Sequence, residues 1–178
     1  MVYLFLEDGF EEVEAMAPID ILRRAGVKIT TVGEEGISVT GAHGVRVKAD
    51  MEVDSVSFAD MEMVVLPGGP GTHNHESCPK VRESLEYCAK SGKYIAAICA
   101  APSVLGHYGL LKGRSAVCYP GYEKDLGAGR VLTDPVCVSG NIVTARGAGV
   151  AVDFALKLVE VLCGVTESQK IRKSIQCI

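Results

Sequence analysis

The chain has 178 residues and no tryptophan, with only four Phe and six Tyr, so any large core must be built from aliphatic side chains. Apolar residues make up 48% of it, enough at this length to fill one sizeable domain, expected to span residues 1–178. Positive charge is also short: 18 Lys and Arg face 22 Asp and Glu, for a net charge of −4. Nucleic-acid surfaces need a basic face, so no nucleic-acid partner is expected. The basic residues at 170–173 read as the solvated side of a last helix. No apolar run approaches the length of a membrane span, which argues against a membrane protein. The apolar run at residues 2–6 is too short for a signal-peptide core and has no basic residue before it. A cytoplasmic location is the expectation.

Other absences narrow the chemistry. The seven cysteines, at 78, 88, 99, 118, 137, 163 and 177, include no C-x-x-C and are odd in number. Reduced thiols in a reducing compartment fit better than a disulfide framework. His73-Asn74-His75 has no Cys, Asp or Glu in a recognisable ligand spacing, so it reads as a polar loop and no metal or other cofactor is expected. Gly69-Pro70-Gly71 lacks the lysine and spacing of a phosphate loop. No Cys-His adjacency, Ser-His-Asp arrangement, repeat, low-complexity tract or linker occurs. His107 reads as structural.

Short apolar runs at residues 2–6, 63–66 and 94–98 read as buried strands, with further strands at 28–32, 116–118 and 142–144. Residues 11–25 show a helix period through Val13, Met16, Ile19 and Leu22, ending at Gly26, with Pro18 expected to kink or divide the helix. Residues 81–91 and 151–162 read as helices, the latter stopped by Gly164. Residues 33–60 carry short β-like pieces too irregular to assign. Strands and helices alternate, which implies a mostly parallel sheet with helices on both faces. Reactive groups in such sheets gather beyond the carboxyl ends of the strands.

Cys99 follows the 94–98 strand and precedes Ala100-Ala101-Pro102, where Pro102 suits a first helical turn. A thiol is thus placed at a sharp strand-to-helix turn, as a nucleophile elbow places a serine. There the helix dipole favours thiolate. A buried structural cysteine is the plain alternative. The strand-end loops should also bring Glu11, Glu12, Glu14, Gly68, Gly69 and Tyr119 near it. Gly68 and Gly69 could present backbone N–H groups to a reacting oxygen, together with the N–H after Cys99, or simply make a tight turn. Glu14 could act as acid or base beside the thiol, or, with Glu11 and Glu12, merely favour a helix N-terminus.

Five segments resemble the DJ-1/ThiJ/PfpI superfamily in its DJ-1 branch, in order along the chain: E-D-G-F-E-E-V-E-A at 7–15, P-I-D-I-L-R-R-A-G-V-K at 18–28, V-V-L-P-G-G at 64–69, A-A-I-C-A-A-P at 96–102 and T-A-R-G-A-G at 144–149. The resemblance implies a flavodoxin-like α/β sandwich, usually a homodimer. It implies that the reactive cysteine is Cys99, the buried glutamate beside it Glu14, and the oxyanion-type backbone Gly68, Gly69 and Ala100. Two departures stand out. Many members have a histidine before the proline of the strand that follows the nucleophile, where this chain has Cys118-Tyr119-Pro120; the peptidase branch has a histidine directly after the nucleophile, where this chain has Ala100. Proteolysis is therefore not expected, and Tyr119 becomes the candidate polar group in place of an imidazole.

The activity implied is chemistry on small reactive carbonyls, glutathione-independent glyoxalase or deglycase in type. The alternative is an oxidative-stress sensor in which peroxide converts Cys99 to sulfinic acid. Nothing in these residues supports the thiazole or thiamin role of older family naming.

Overall fold

The five residues of β1 (Val2–Leu6) are all buried. Val2, Leu4 and Leu6 enter one apolar cluster, while Tyr3 and Phe5 enter another on the opposite face. Successive side chains of a strand point to opposite faces, so a strand covered on both sides needs apolar residues throughout. The computed structural model, which describes residues 1–177, builds a sheet from strands of this kind.

After β1 come α1 (Glu12–Arg24), β2 (Ile29–Gly33), the hairpin β3 (Ser38–Thr40) and β4 (Arg46–Lys48), and the short edge strand β5 (Met51–Glu52). Next are β6 (Met63–Leu66), α2 (Pro79–Lys90), β7 (Tyr94–Ile98), α3 (Pro102–His107), β8 (Ser115–Ala116) and β9 (Arg130–Val131). The chain continues through β10 (Val136–Ser139), β11 (Ile142–Ala145), α4 (Ala151–Cys163) and α5 (Val165–Ser174). The main sheet has the order β10-β11-β7-β6-β1-β2-β5, and every pair is parallel except β10 with β11. Helices α1, α4 and α5 pack on the face of Val2, Leu4 and Leu6, and α2 and α3 on the other. This is the expected α/β sandwich.

Three readings are corrected. Pro18 does not divide the first helix, which runs unbroken from Glu12 to Arg24. Ala15, Ile21 and Leu22 lie in one cluster with Phe154, Ala155 and Leu158 of α4, and that packing outweighs the lost backbone hydrogen bond. The strand expected at 116–118 is only Ser115–Ala116 and pairs with β9 outside the main sheet. The edge strand β10 had no strand assigned to it. Among the described residues no helix is long and apolar enough to cross a membrane.

Because β1, β6, β7 and β11 are parallel neighbours, the four loops at their carboxyl ends lie side by side. The candidate site sits there.

Candidate active site

Cys99 has a φ of 65°, one of two non-glycine residues among those described with positive φ. A side chain in this left-handed region is disfavoured by contact of Cβ with the backbone, so the conformation must be held by its surroundings. Its N–H donates to Ala145 O of β11 at 2.9 Å, and its carbonyl accepts from Tyr119 N–H at 2.8 Å. With β7 fixed before it and α3 after it, the thiol projects from the turn.

Gly68 and Gly69 form the facing wall. A Cβ on Gly68 would stand 2.6 Å from Cys99 Cβ and 2.7 Å from Glu14 Oε2, so only glycine fits between them. Gly68 N–H donates to Glu14 Oε2 at 2.9 Å. Gly69, at φ 113°, turns the chain where a side chain would run into Gly9 O and Glu11 N. The peptide N–H groups of Ala100 and Gly69 both stabilise the Cys99 sulfur as an anion.

Glu14, in the first turn of α1, is fully buried. Its Oε1 has no well-aligned hydrogen-bond partner and sits on the Cys99 side, where a Cβ on Gly147 would lie 3.8 Å from both Oε1 and Cys99 Sγ. Burial raises its pKa to about 7, against the opposing pull of the Cys99 thiol and the Gly68 N–H. Burial and then the ionised Glu14 push the Cys99 thiol up to about 12. This corrects the expectation of a thiolate favoured by the helix dipole: α3 is a helix of six residues, and desolvation plus the facing carboxylate outweigh it. When Glu14 carries the proton its repulsion vanishes, and the carboxyl becomes a donor to sulfur. The reactive form therefore depends on where one proton sits between two residues.

A cleft of about 480 Å³ opens onto the thiol, lined by Glu11, Gly69, Pro70, Cys99, Ala100, Tyr119 and Tyr122. Tyr119 is half exposed, and its hydroxyl has no hydrogen-bond partner among the described residues. The structure thus brings together Cys99, Glu14, Gly68, Gly69, Ala100 and Tyr119. Sequence reasoning missed Pro70, Tyr122 and Gly147. Gly147 lies within the T-A-R-G-A-G segment, where the motif pointed to it without giving its role. Glu12 lies apart from the thiol, accepting hydrogen bonds from His43 N–H and Nδ1.

His75 also departs from expectation. It is no solvated loop residue but wholly buried, with Nδ1 2.5 Å from Glu34 Oε1 and Nε2 2.9 Å from Glu7 Oε2. Burial alone would lower its pKa, yet Glu7 and Glu34 raise it well above that of a free imidazole. Its carboxylate partners, Glu7 and Glu34, arrive from the ends of β1 and β2.

The DJ-1/PfpI family model matches residues 1–161. The chain belongs to the DJ-1/PfpI family. It is 34% identical over 176 residues to a glutathione-independent glyoxalase of Caenorhabditis elegans, covering 98% of this chain and 94% of that protein. It is 34% identical over 149 residues to a deglycase of Pyrococcus horikoshii, covering 82% of this chain and 90% of that one. Among solved structures, oxidised DJ-1 of Toxoplasma gondii superposes with a TM-score of 0.94 at 36% identity, covering 98% and 97% of the two chains. Within the DJ-1/PfpI fold this chain has a strand–Cys–helix turn at Cys99 and a phenol, Tyr119, at the cleft rim.

Proposed function

We propose that this protein converts small α-oxoaldehydes to α-hydroxy acids without glutathione, methylglyoxal plus water giving lactate. The observation that carries the reading is the placement of Cys99 Sγ between the buried, proton-holding Glu14 and the N–H groups of Gly69 and Ala100, at the floor of an open cleft. The names of the glyoxalase and deglycase relatives support the same class of substrate.

In this mechanism the Cys99 sulfur adds to the aldehyde carbon, and the former carbonyl oxygen takes up a proton to give a hemithioacetal. Gly69 and Ala100 N–H groups hold the negative charge as it develops on that oxygen. Glu14 in its carboxylate form removes the proton from the former aldehyde carbon while the ketone oxygen takes one up, giving an enediol; Glu14 then returns its proton to the neighbouring carbon as the hydroxyl of the first carbon gives up its own. The first carbon is oxidised to a thioester and the second reduced to an alcohol, so no external electron acceptor enters. Water then cleaves the thioester, releasing lactate and the thiol. A pKa near 7 suits a group that must both take and give a proton at neutral pH.

The test is lactate formation from methylglyoxal by the wild type and by Cys99→Ser, with the Cys99 oxidation state followed by intact mass. Lactate from the wild type alone supports the reading. No turnover, with selective conversion of Cys99 to sulfinate by peroxide, replaces it with the sensor function.

A further inference from the structure

We propose that His75 is a positioning residue for the reactive site: clamped between Glu7 and Glu34, it fixes the direction in which Gly69 N–H points at the Cys99 sulfur. The proposal rests on the reading of Cys99 as the reactive group, its sulfur anion held by that N–H. The three residues of the clamp come from three segments. Glu7 follows β1, Glu34 follows β2, and His75 lies in the 3-10 turns of Pro70–Ser77 that begin directly after Gly69. His75 presents opposite ring nitrogens to the two carboxylates, Nδ1 to Glu34 Oε1 at 2.5 Å and Nε2 to Glu7 Oε2 at 2.9 Å. All three side chains are buried. Buried ion pairs add little net stability over well-packed apolar residues, so the clamp is better explained by what it holds in place.

The path from the clamp to Gly69 runs through the backbone. A Cβ on Gly71 would stand 2.1 Å from Asp8 O and 3.1 Å from Glu7 Cγ, so residues 7–8 lie directly on the segment that carries His75. Gly71 N–H donates to Gly9 O at 3.1 Å, and Glu11 N–H donates to Gly68 O at 2.8 Å. The peptide joining Gly68 to Gly69 is planar, so holding its oxygen on one side sets the direction of its N–H on the other. Thr72 grips the next peptide, donating to Gly69 O through its N–H at 3.1 Å and its hydroxyl at 2.8 Å. A shift of residues 7–11 relative to the Pro70–Ser77 turns therefore rotates the donor that faces sulfur. His75 bridges those two segments, and Glu34 anchors it to the end of β2.

His107 supplies the control. It reaches the same turns from outside, with Nδ1 2.7 Å from Glu76 Oε1, but that pair is partly exposed and holds little.

The experiment measures the rate of iodoacetamide alkylation at Cys99 against pH, by peptide mapping. It compares the wild type with His75→Gln, Glu7→Gln and His107→Gln, each shown to be folded by its thermal melt. Glu14 is intact in all of them. Glutamine at 75 cannot bridge both carboxylates, and glutamine at 7 withdraws one charge from the clamp. The midpoint of the alkylation profile should rise by about 0.5–1 unit in both clamp variants, a partial loss of one hydrogen bond to an anion, and should stay in place in His107→Gln. A merely structural role would lower the melting temperature and leave that midpoint where it was. In lactate formation the two clamp variants should lose about tenfold in kcat with KM changed less than about twofold, because the N–H acts on the developing oxyanion. Absence of lactate from the wild type would remove the glyoxalase reading and leave the alkylation profile to decide this one. Should a clamp variant fail to fold, the triple variant Glu7→Leu, Glu34→Leu, His75→Leu removes the three charges together and takes its place, with the same rise expected. A midpoint unmoved in either clamp variant overturns the proposal, as does an equal rise in His107→Gln.

Discussion

The ionised carboxylate of Glu14 and the sulfur of Cys99 compete for one proton across the gap that Gly68 keeps open. Burial opposes each anion on its own, and mutual repulsion opposes the pair together still more.

Glu14→Gln isolates the two duties of the carboxyl. The amide can still accept from Gly68 N–H and donate to sulfur, but it cannot shuttle a proton. Turnover of methylglyoxal should fall by about 10²- to 10⁴-fold, with a much smaller loss in the rate of iodoacetamide alkylation at Cys99. Equal retention of both would reduce Glu14 to a structural residue.

Stability should carry the same signature. Glu14 is raised from 4.5 to about 7 on folding, so the folded state holds its proton more tightly than the unfolded state does. Its contribution is fully present below pH 4.5 and is lost as the pH rises through about 7, a span worth ~3 kcal/mol. Glu14→Gln should therefore gain stability relative to wild type between pH 5 and pH 8 in denaturant titrations; parallel curves would contradict the assignment.

Among the seven cysteines, Cys99 should be alkylated first by limiting iodoacetamide near neutral pH. Cys88 is fully buried with a thiol pushed up to about 12, and it has no carboxyl partner from which to exchange a proton. Cys163 is exposed but lacks converging N–H donors. Peptide mapping that finds Cys163 modified ahead of Cys99 would count against the site.

Gly68→Ala should abolish turnover. The added methyl meets Cys99 Cβ at 2.6 Å and the backbone oxygen of Ile98 at 3.0 Å, and overpacking of this kind costs about 1–3 kcal/mol. A folded variant with normal activity would show that the wall is more compliant than its contacts indicate.

Tyr119→Phe should be mild, below about tenfold in turnover, because the residue is placed by its backbone bond to Cys99 O and its hydroxyl has no hydrogen-bond partner among the described residues. Tyr119→His should match or exceed the wild type. Loss in Tyr119→Phe as complete as in Cys99→Ser would make the phenol an essential acid.

How far the sequence reveals these features depends on how local their causes are. The buried strands β1, β6 and β7 were legible because double burial forces a continuous apolar run. Strand β10 was not, because it is an edge strand in which Val138 is exposed. Cys99, Gly68 and Glu14 were legible from their positions at or just beyond strand ends. Gly147 and Tyr122 reach the thiol only because later segments return to the sheet. The protonation of the site was misjudged for a related reason: the helix dipole can be read from neighbours in sequence, whereas desolvation depends on everything packed around the sulfur. His75 shows the same limit, since both of its carboxylate partners lie far along the chain.

The two backbone bonds that hold Cys99 in its left-handed conformation come from Tyr119 and Ala145, both synthesised after it. A nascent chain that has emerged only through Cys99 therefore carries an ordinary flexible thiol. The reactive geometry is assembled when the returning chain docks β11 against β7, so the hazard of a nucleophilic cysteine is withheld until translation of the sheet is complete.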